Sequence, residues 1–255
     1  MQETKLRKVG KLKCPNYITF ELVRKSSAGG GLATIIKADL DPVWIAEGDD
    51  INEILVVEIH IKNLPIRIIN AYGPQESDSI ERKTMFWARL HKEVNDAVED
   101  DIGVIVQMDG NLHAGEAIVK GDPNKINNNC RLFSTFLNNN QSMTLLNSSD
   151  KCEGTITRKR VKGQKVEQAV LDFALISDNL KPFFSKMVID EDRKYALSSY
   201  LNKKCRDSDH FTQLIDFDIQ YRRQKPVREE YFNFKNIECQ ETFRNILNSE
   251  NNYFP

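Results

Sequence analysis

The sequence predicts a mixed α/β protein with outer helices. Strand-like runs outnumber helix-like ones, and hairpin signals alternate with helical crossovers. That mixture favours mixed sheets over a purely parallel, doubly wound one. A strand is expected over 31–36, directly after a glycine triplet. The stretches 53–61 and 66–71 read as strands flanking Lys62-Asn63-Leu64-Pro65, which reads as a hairpin turn. Between 80 and 98, Met85, Phe86, Leu90, Val94 and Val98 recur at helical spacing. The apolar run 103–108 reads as a buried strand ending at Asp109. Leu132, Phe133, Phe136 and Leu137 mark a helix over 130–138, and strands return over 143–147, 170–177 and 211–219. The asparagine runs 127–129 and 138–140 read as solvated turns.

A length of 255 residues suffices for one large α/β domain or two small ones, and a hydrophobic share of 40% is ordinary for a globular protein. Past Ile219 the composition shifts to Tyr221-Arg222-Arg223-Gln224-Lys225-Pro226, basic and proline-bearing as a domain exit should be. The expected division is therefore a domain over 1–220 and a basic linker with a short helix (236–247) over 221–255. No apolar run reaches the roughly 20 residues of a membrane helix, and the start lacks a signal-peptide core. An intracellular protein, nuclear or cytoplasmic, is expected, with no membrane partner. The five cysteines are scattered without a CxxC pair, which argues against a zinc site or disulfide framework. Reduced, mostly buried thiols are the better reading. Net charge is −1, but phosphate contacts need a local basic patch rather than a global excess.

Chemistry concentrates in short segments. Gln2-Glu3-Thr4, Met108-Asp109-Gly110-Asn111, Leu171-Asp172-Phe173 and Asp207-Ser208-Asp209-His210 each carry an acidic or hydroxyl-rich cluster. Taken singly, Glu3 is a terminal glutamate, Asp109-Gly110-Asn111 a turn, and Asp209-His210 a surface loop. Asp172 already differs, because a lone carboxylate inside an apolar run is costly unless paired. Carboxylates at strand ends can converge where the strands emerge. Oxygen donors without a thiolate suit Mg²⁺ rather than Zn²⁺. Between Thr157 and Asp172, the basic residues Arg158, Lys159, Arg160, Lys162 and Lys165 follow one another without an acid, as in a hairpin with a cationic tip suited to DNA phosphates. His113 stands two residues beyond Asn111 and reads equally as site-lining or as surface; His60 and His91 read as ordinary strand and helix residues.

The motifs, in this order, resemble the endonuclease/exonuclease/phosphatase superfamily. Within it they are most similar to the apurinic-like endonucleases of non-LTR (LINE-type) retrotransposons. Gln2-Glu3-Thr4 resembles the family's QET motif, and Gly29-Gly30-Gly31-Leu32-Ala33 its glycine-rich strand entry. Asn70-Ala71-Tyr72-Gly73-Pro74 resembles its NxYxP segment, and Met108-Asp109-Gly110-Asn111 stands where it has GDFN. Thr155-Ile156-Thr157-Arg158 with Leu171-Asp172 resembles its TxTR…(I/L)D pair, and Ser208-Asp209-His210 its closing SDH. The family's glycine and phenylalanine in GDFN are Met108 and Gly110 here.

The resemblance implies a two-sheet, four-layer α/β sandwich and Mg-dependent nicking of target DNA. Mg²⁺ is the expected cofactor, with Mn²⁺ as an alternative. Glu3 would hold the metal, with Asp209 on its metal-facing side. Asp109 would orient or deprotonate the attacking water, and Asn111 would fix Asp109 and a phosphate oxygen. His210 would stabilise the transition state with its imidazole held by Asp172. Tyr72 and Thr157 would contact phosphate, and DNA would be the partner. Tyr231 to Asn236 resembles the linker that precedes a reverse transcriptase in such elements. The sequence begins inside the QET motif, so the family's first strand is expected to be missing and the Glu3 strand frayed, with weak stability and activity. A phosphatase or lipid phosphodiesterase of the same superfamily, or a non-catalytic remnant, would share much of this pattern.

Overall fold

A computed structural model describes residues 1–6, 8–24, 30–47, 53–194 and 208–219. All of them fall within one compact unit, 1–221. The linker and helix expected over 221–255, and Cys205 and Cys239, lie outside the described residues. In chain order the strands begin with β1 (Tyr17–Leu22), β2 (Leu32–Lys37), β3 (Val43–Glu47), β4 (Glu53–Ile61) and β5 (Leu64–Tyr72). Helix α1 (Ile80–Glu99), strand β6 (Gly103–Asp109), helix α2 (Asn128–Asn139), β7 (Met143–Leu145) and β8 (Cys152–Glu153) follow. The described chain closes with β9 (Arg158–Lys162), β10 (Lys165–Ala169), β11 (Asp172–Ser177), β12 (Phe184–Ile189) and β13 (Gln213–Phe217).

A six-stranded sheet in the order β3-β4-β5-β6-β11-β7 forms the centre. Its β5 and β6 run parallel, and the other neighbours are antiparallel. Both faces are buried, and the two-residue period decides which side chain goes where. Ile54, Val56, Ile69, Ala71, Val104, Val106, Met108, Phe173 and Leu175 share a core with the helices. Ile59, Ile66, Ala174 and Ile176 point the other way and pack with Phe184, Met187 and Ile189 of the three-stranded sheet β13-β12-β8. Leu55, Val57 and Tyr72 on that same face meet Phe20 and Leu32 of the β1–β2 hairpin. The protein is therefore the mixed α/β sandwich that the sequence implied.

The helices form where sequence and packing agree. Ser79 caps α1 by accepting from the Arg82 N–H at 3.2 Å. Phe86, Trp87, Leu90, Val94 and Ala97 are its buried stripe. Asn127 caps α2 the same way, accepting from the Cys130 N–H at 3.2 Å. Trp87 then locks the pair, with ring centroids 5.6 Å from Phe133 and 5.5 Å from Phe136.

Several local expectations need correction. The asparagine runs are not solvated turns: besides the Asn127 cap, Asn129 and Asn140 are buried, and Asn140 Oδ1 lies 3.0 Å from His91 Nδ1. The β4–β5 turn is tighter than expected, because Leu64 and Pro65 already belong to β5. Pro65 is tolerated there since β6 pairing starts only at Ile66, so no ladder donor is lost. Strand β7 stops at Leu145, where the Asn147 side chain takes over the pairing: its Nδ2 donates to Asp172 O at 3.0 Å and its Oδ1 accepts from Ala174 N at 2.9 Å. Strands β1, β3, β8 and β12 were not anticipated. Of the described thiols only Cys130 is buried, whereas Cys152 is half-buried and Cys14 exposed; all three are free. No described helix is long and apolar enough to cross a membrane.

The segment around Glu3 is tied down rather than frayed. Ala33 N donates to Met1 O at 3.0 Å, Thr4 N to Gly31 O at 3.1 Å and Lys5 N to Gly30 O at 2.9 Å. Gln2 Nε2 reaches Asn70 Oδ1 at 2.7 Å. Positive φ angles at Glu3 (50°) and Lys5 (55°) interrupt regular pairing.

Phe133 is fully buried and touches both Trp87 and Phe173, so it joins helices to sheet. Truncation to alanine should cost about 3–5 kcal/mol. Urea unfolding of Phe133→Ala should show a lower midpoint at unchanged slope; a shift worth under about 1 kcal/mol would mean this contact does not hold the layers together.

Candidate active site

The pairing register places the functional residues in one row. Tyr72 lies opposite Asp109 across β5–β6, and Asp109 lies opposite Asp172 across β6–β11. Their neighbours Ala71, Met108 and Phe173 face the helices. Tyr72, Asp109 and Asp172 therefore lie on the opposite face, at the end where β5 and β6 finish and β11 begins. Glu53, opposite Tyr72 on β4, continues the row.

Tyr72 is 6% exposed and donates its hydroxyl to Glu3 Oε1 at 2.6 Å. Burial first, and then the Glu3 carboxylate, push the phenol above its ordinary range. Arg24 stands 6.0 Å from the Tyr72 ring centroid and pairs with the buried Glu53. Glu53 also accepts from Gly31 N at 2.6 Å, which secures the glycine-rich entry to β2.

Asp109 is 4% exposed. Burial and the adjacent Asp172 charge lift its carboxyl to about 7, against a smaller downward pull from His210. Asn111, at φ 47°, donates its backbone N–H to Asp109 Oδ1 at 3.1 Å and its side chain to Gly73 O at 2.9 Å. The two departures from GDFN have a packing reason. Met108 is buried in the helix-facing core, and a Cβ at Gly110 would sit 3.0 Å from the Phe173 ring and 3.1 Å from Leu112. Gly73 is equally constrained, because a Cβ there would lie 2.6 Å from Gly110 O.

His210 faces Asp172, with Nδ1 at 2.9 Å from Oδ2 and 3.1 Å from Oδ1. Burial disfavours the imidazolium, but Asp172, with Asp109 and Asp209, outweighs it and raises the pKa to about 9. Nδ1 is thereby committed to Asp172, leaving Nε2 for other chemistry. Among the described residues, Asp109, Asp172 and His210 form a group whose ligand atoms all lie within 4.8 Å of one another.

Thr157 is fully buried, and its Oγ1 accepts from Leu171 N at 2.8 Å and Asp172 N at 3.0 Å. It thus fixes the start of β11 from behind. Asp209 is outside the Asp109–Asp172–His210 group. Its Oδ2 takes Arg158 Nε and Nη2, both at 2.9 Å. Burial opposes the Asp209 charge, yet Arg158 holds its pKa below the usual value. Lys159, Arg160, Lys162 and Lys165 lie exposed on the β9–β10 hairpin, which turns at Gly163-Gln164. Lys162 and Lys165 approach Glu167 at 3.8 and 3.3 Å.

One residue adds to the expected set. Asn129, in the first turn of α2, donates its Nδ2 to Pro74 O and Asn111 O, each at 2.9 Å. It joins the loops that follow β5 and β6. Only its place two residues past the Asn127 cap hinted at this in the sequence. His113 is half-buried, its N–H donates to Asn127 Oδ1 at 3.2 Å, and its Nδ1 is buried without a hydrogen-bond partner.

No family model and no curated protein matches the sequence. Solved structures do match the fold. The endonuclease domain of TRAS1, a telomere-specific non-LTR retrotransposon, aligns at 17% identity and TM-score 0.59, covering 80% of this chain and 81% of that one. The 3′-5′ exonuclease NExo of Neisseria meningitidis aligns at 20% identity and TM-score 0.61, covering 86% and 88%. An AP endonuclease of Archaeoglobus fulgidus gives 19% identity and TM-score 0.60 over 86% and 88%. The chain therefore has the endonuclease/exonuclease/phosphatase fold that its motifs implied.

Proposed function

We propose that this chain hydrolyses DNA phosphodiester bonds with Mg²⁺, as the endonuclease that nicks target DNA for a non-LTR retrotransposon. The observation that carries this reading is the row of Tyr72, Asp109 and Asp172, with Asn111 on Asp109 and His210 on Asp172. On this reading 1–220 is the nuclease domain and 221–255 the linker toward a reverse transcriptase.

A phosphodiester is anionic, so attack by water needs a base and a site for the developing charge. The donor chemistry suits a hard cation. Glu3, Asp109 and Asp172 offer carboxylate oxygens without a thiolate, and buried neighbouring carboxylates repel unless a cation neutralises them. Glu3, joined to the row through the Tyr72 hydroxyl, would hold Mg²⁺, or Mn²⁺ in its place; such an ion neutralises phosphate charge and activates water when bound.

Asp109, its carboxyl raised by burial and by Asp172, would take the proton of the attacking water. Asn111 holds its Oδ1 in place through a backbone N–H. Asp172 keeps Nδ1 of His210 protonated, so the Nε2–H would stabilise the phosphoryl oxygens as charge builds. The Tyr72 hydroxyl would contact phosphate from the Glu3 side, and Thr157 would act from behind by aligning Asp172. Lys159, Arg160, Lys162 and Lys165 would lie along the DNA backbone.

Asp109→Ala or His210→Ala should slow nicking of supercoiled plasmid by about 10²-fold or more while circular dichroism stays near that of the parent. Near-parental nicking by both variants would sink the assignment, and preference for a phosphoinositide over plasmid would move it to the lipid phosphodiesterases. Chelation by EDTA should abolish nicking and added Mg²⁺ restore it; activity that survives exhaustive chelation would remove the metal from the scheme. Replacing Lys159, Arg160, Lys162 and Lys165 with glutamine should weaken DNA binding, and the salt slope should fall by about one unit per lost phosphate contact. An unchanged slope would leave the hairpin as plain solvated surface.

A further inference from the structure

The geometry points to Arg158 as a positioning residue that works through Asp209 on the His210–Asp172 pair, rather than as one more phosphate contact of the hairpin. This rests on the nuclease reading above. His210 pairs directly with Arg158 as an isolated antiparallel bridge. Backbone bonds stitch the flanking residues: Lys159 N donates to Asp209 O at 2.8 Å and Phe211 N to Thr157 O at 2.7 Å. The root of the hairpin thus carries both halves of the pair. Thr157 Oγ1 fixes the backbone of Asp172, and Thr157 and Lys159 fix the backbone on either side of His210.

The side chain of Arg158 adds what these bonds cannot. Asp209 is the residue before His210, and its carboxylate is among the groups that favour the imidazolium. Where that carboxylate sits therefore bears on the ring. Arg158 occupies the carboxylate with two donors, Nε and Nη2, on Oδ2. At 24% exposure the Arg158 side chain is also far more enclosed than the hairpin lysines Lys162 and Lys165, at 54% and 76%. A guanidinium fork meets this geometry where an ammonium would offer a single point charge. The cation at the hairpin root is therefore engaged by Asp209 and half-enclosed, whereas the lysines further out are mostly exposed. Duplex gripped by the hairpin would then bear directly on the segment that orients His210.

The test uses the full chain with Arg158→Gln, Arg158→Lys and Asp209→Asn. Each should lower the single-turnover nicking rate at saturating DNA by about 10- to 100-fold, as small misplacements of a catalytic group do. The salt slope of binding should stay at the parental value, and the His210 imidazole ¹⁵N–¹H signal should shift in all three. Arg158→Lys is the discriminating variant: it keeps the charge that a phosphate contact needs and loses the fork that Asp209 needs. A parental rate in Arg158→Lys, or a slope lowered by about one unit in Arg158→Gln with the rate unchanged, would overturn the proposal and return Arg158 to the DNA interface. If the parent chain fails to nick any DNA, the nuclease reading falls, and the imidazole signal still decides: an unmoved His210 resonance in Arg158→Gln overturns the positioning role.

Discussion

Everything at the site depends on strand register. Tyr72, Asp109 and Asp172 come from β5, β6 and β11, yet they occupy one rung of the central sheet and point to one face. Because side chains alternate with a period of two, a slip of one residue in any of these strands would exchange Asp109 for Met108 or Asp172 for Phe173. That slip is prevented by the core on the other face. Met108 and Phe173 are fully buried against the helices, with Phe133 stacked on Phe173 at a centroid distance of 5.0 Å. Hydrophobic packing on one side of the sheet therefore sets the geometry of the polar cluster on the other.

That cluster is a repulsive arrangement held by force of the fold. Asp109 and Asp172 are adjacent, and the Asp172 charge raises the cost of ionising Asp109. The neighbouring groups answer this in different ways. His210 takes Asp172, a backbone N–H takes Asp109, and Glu3 finds the Tyr72 hydroxyl. What remains is a carboxyl raised by burial and by Asp172, beside an imidazole raised by the same Asp172.

The loops around the cluster are fixed by backbone rather than by bulk. Gly73 approaches the Gly110 backbone so closely that a side chain there would clash, and Asn111 and Asn129 fasten the same loops through their amides. The substitution of Gly110 for the phenylalanine of the familiar motif is thus an adjustment of packing: Leu112 and Phe173 already fill the space.

The sequence by itself determined the periodic elements and the chemical identity of the cluster. The stripe of α1, the buried run ending at Asp109 and the β-branched apolar runs of β4 and β5 are local patterns, and local patterns are what a sequence displays. The motif residues Glu3, Tyr72, Asp109, Asn111, Asp172 and His210 were legible because each sits in a recognisable short segment. Only the tertiary structure decided how they meet. Strands β1, β3 and β12 were missed because their pairing partners, rather than their own alternation, define them. Asn129 looked like part of a polar turn because the carbonyls it serves, on Pro74 and Asn111, lie 55 and 18 residues away. The Arg158–Asp209 pair was not legible for the same reason: its hydrogen bond spans 51 residues, a separation that no local pattern encodes.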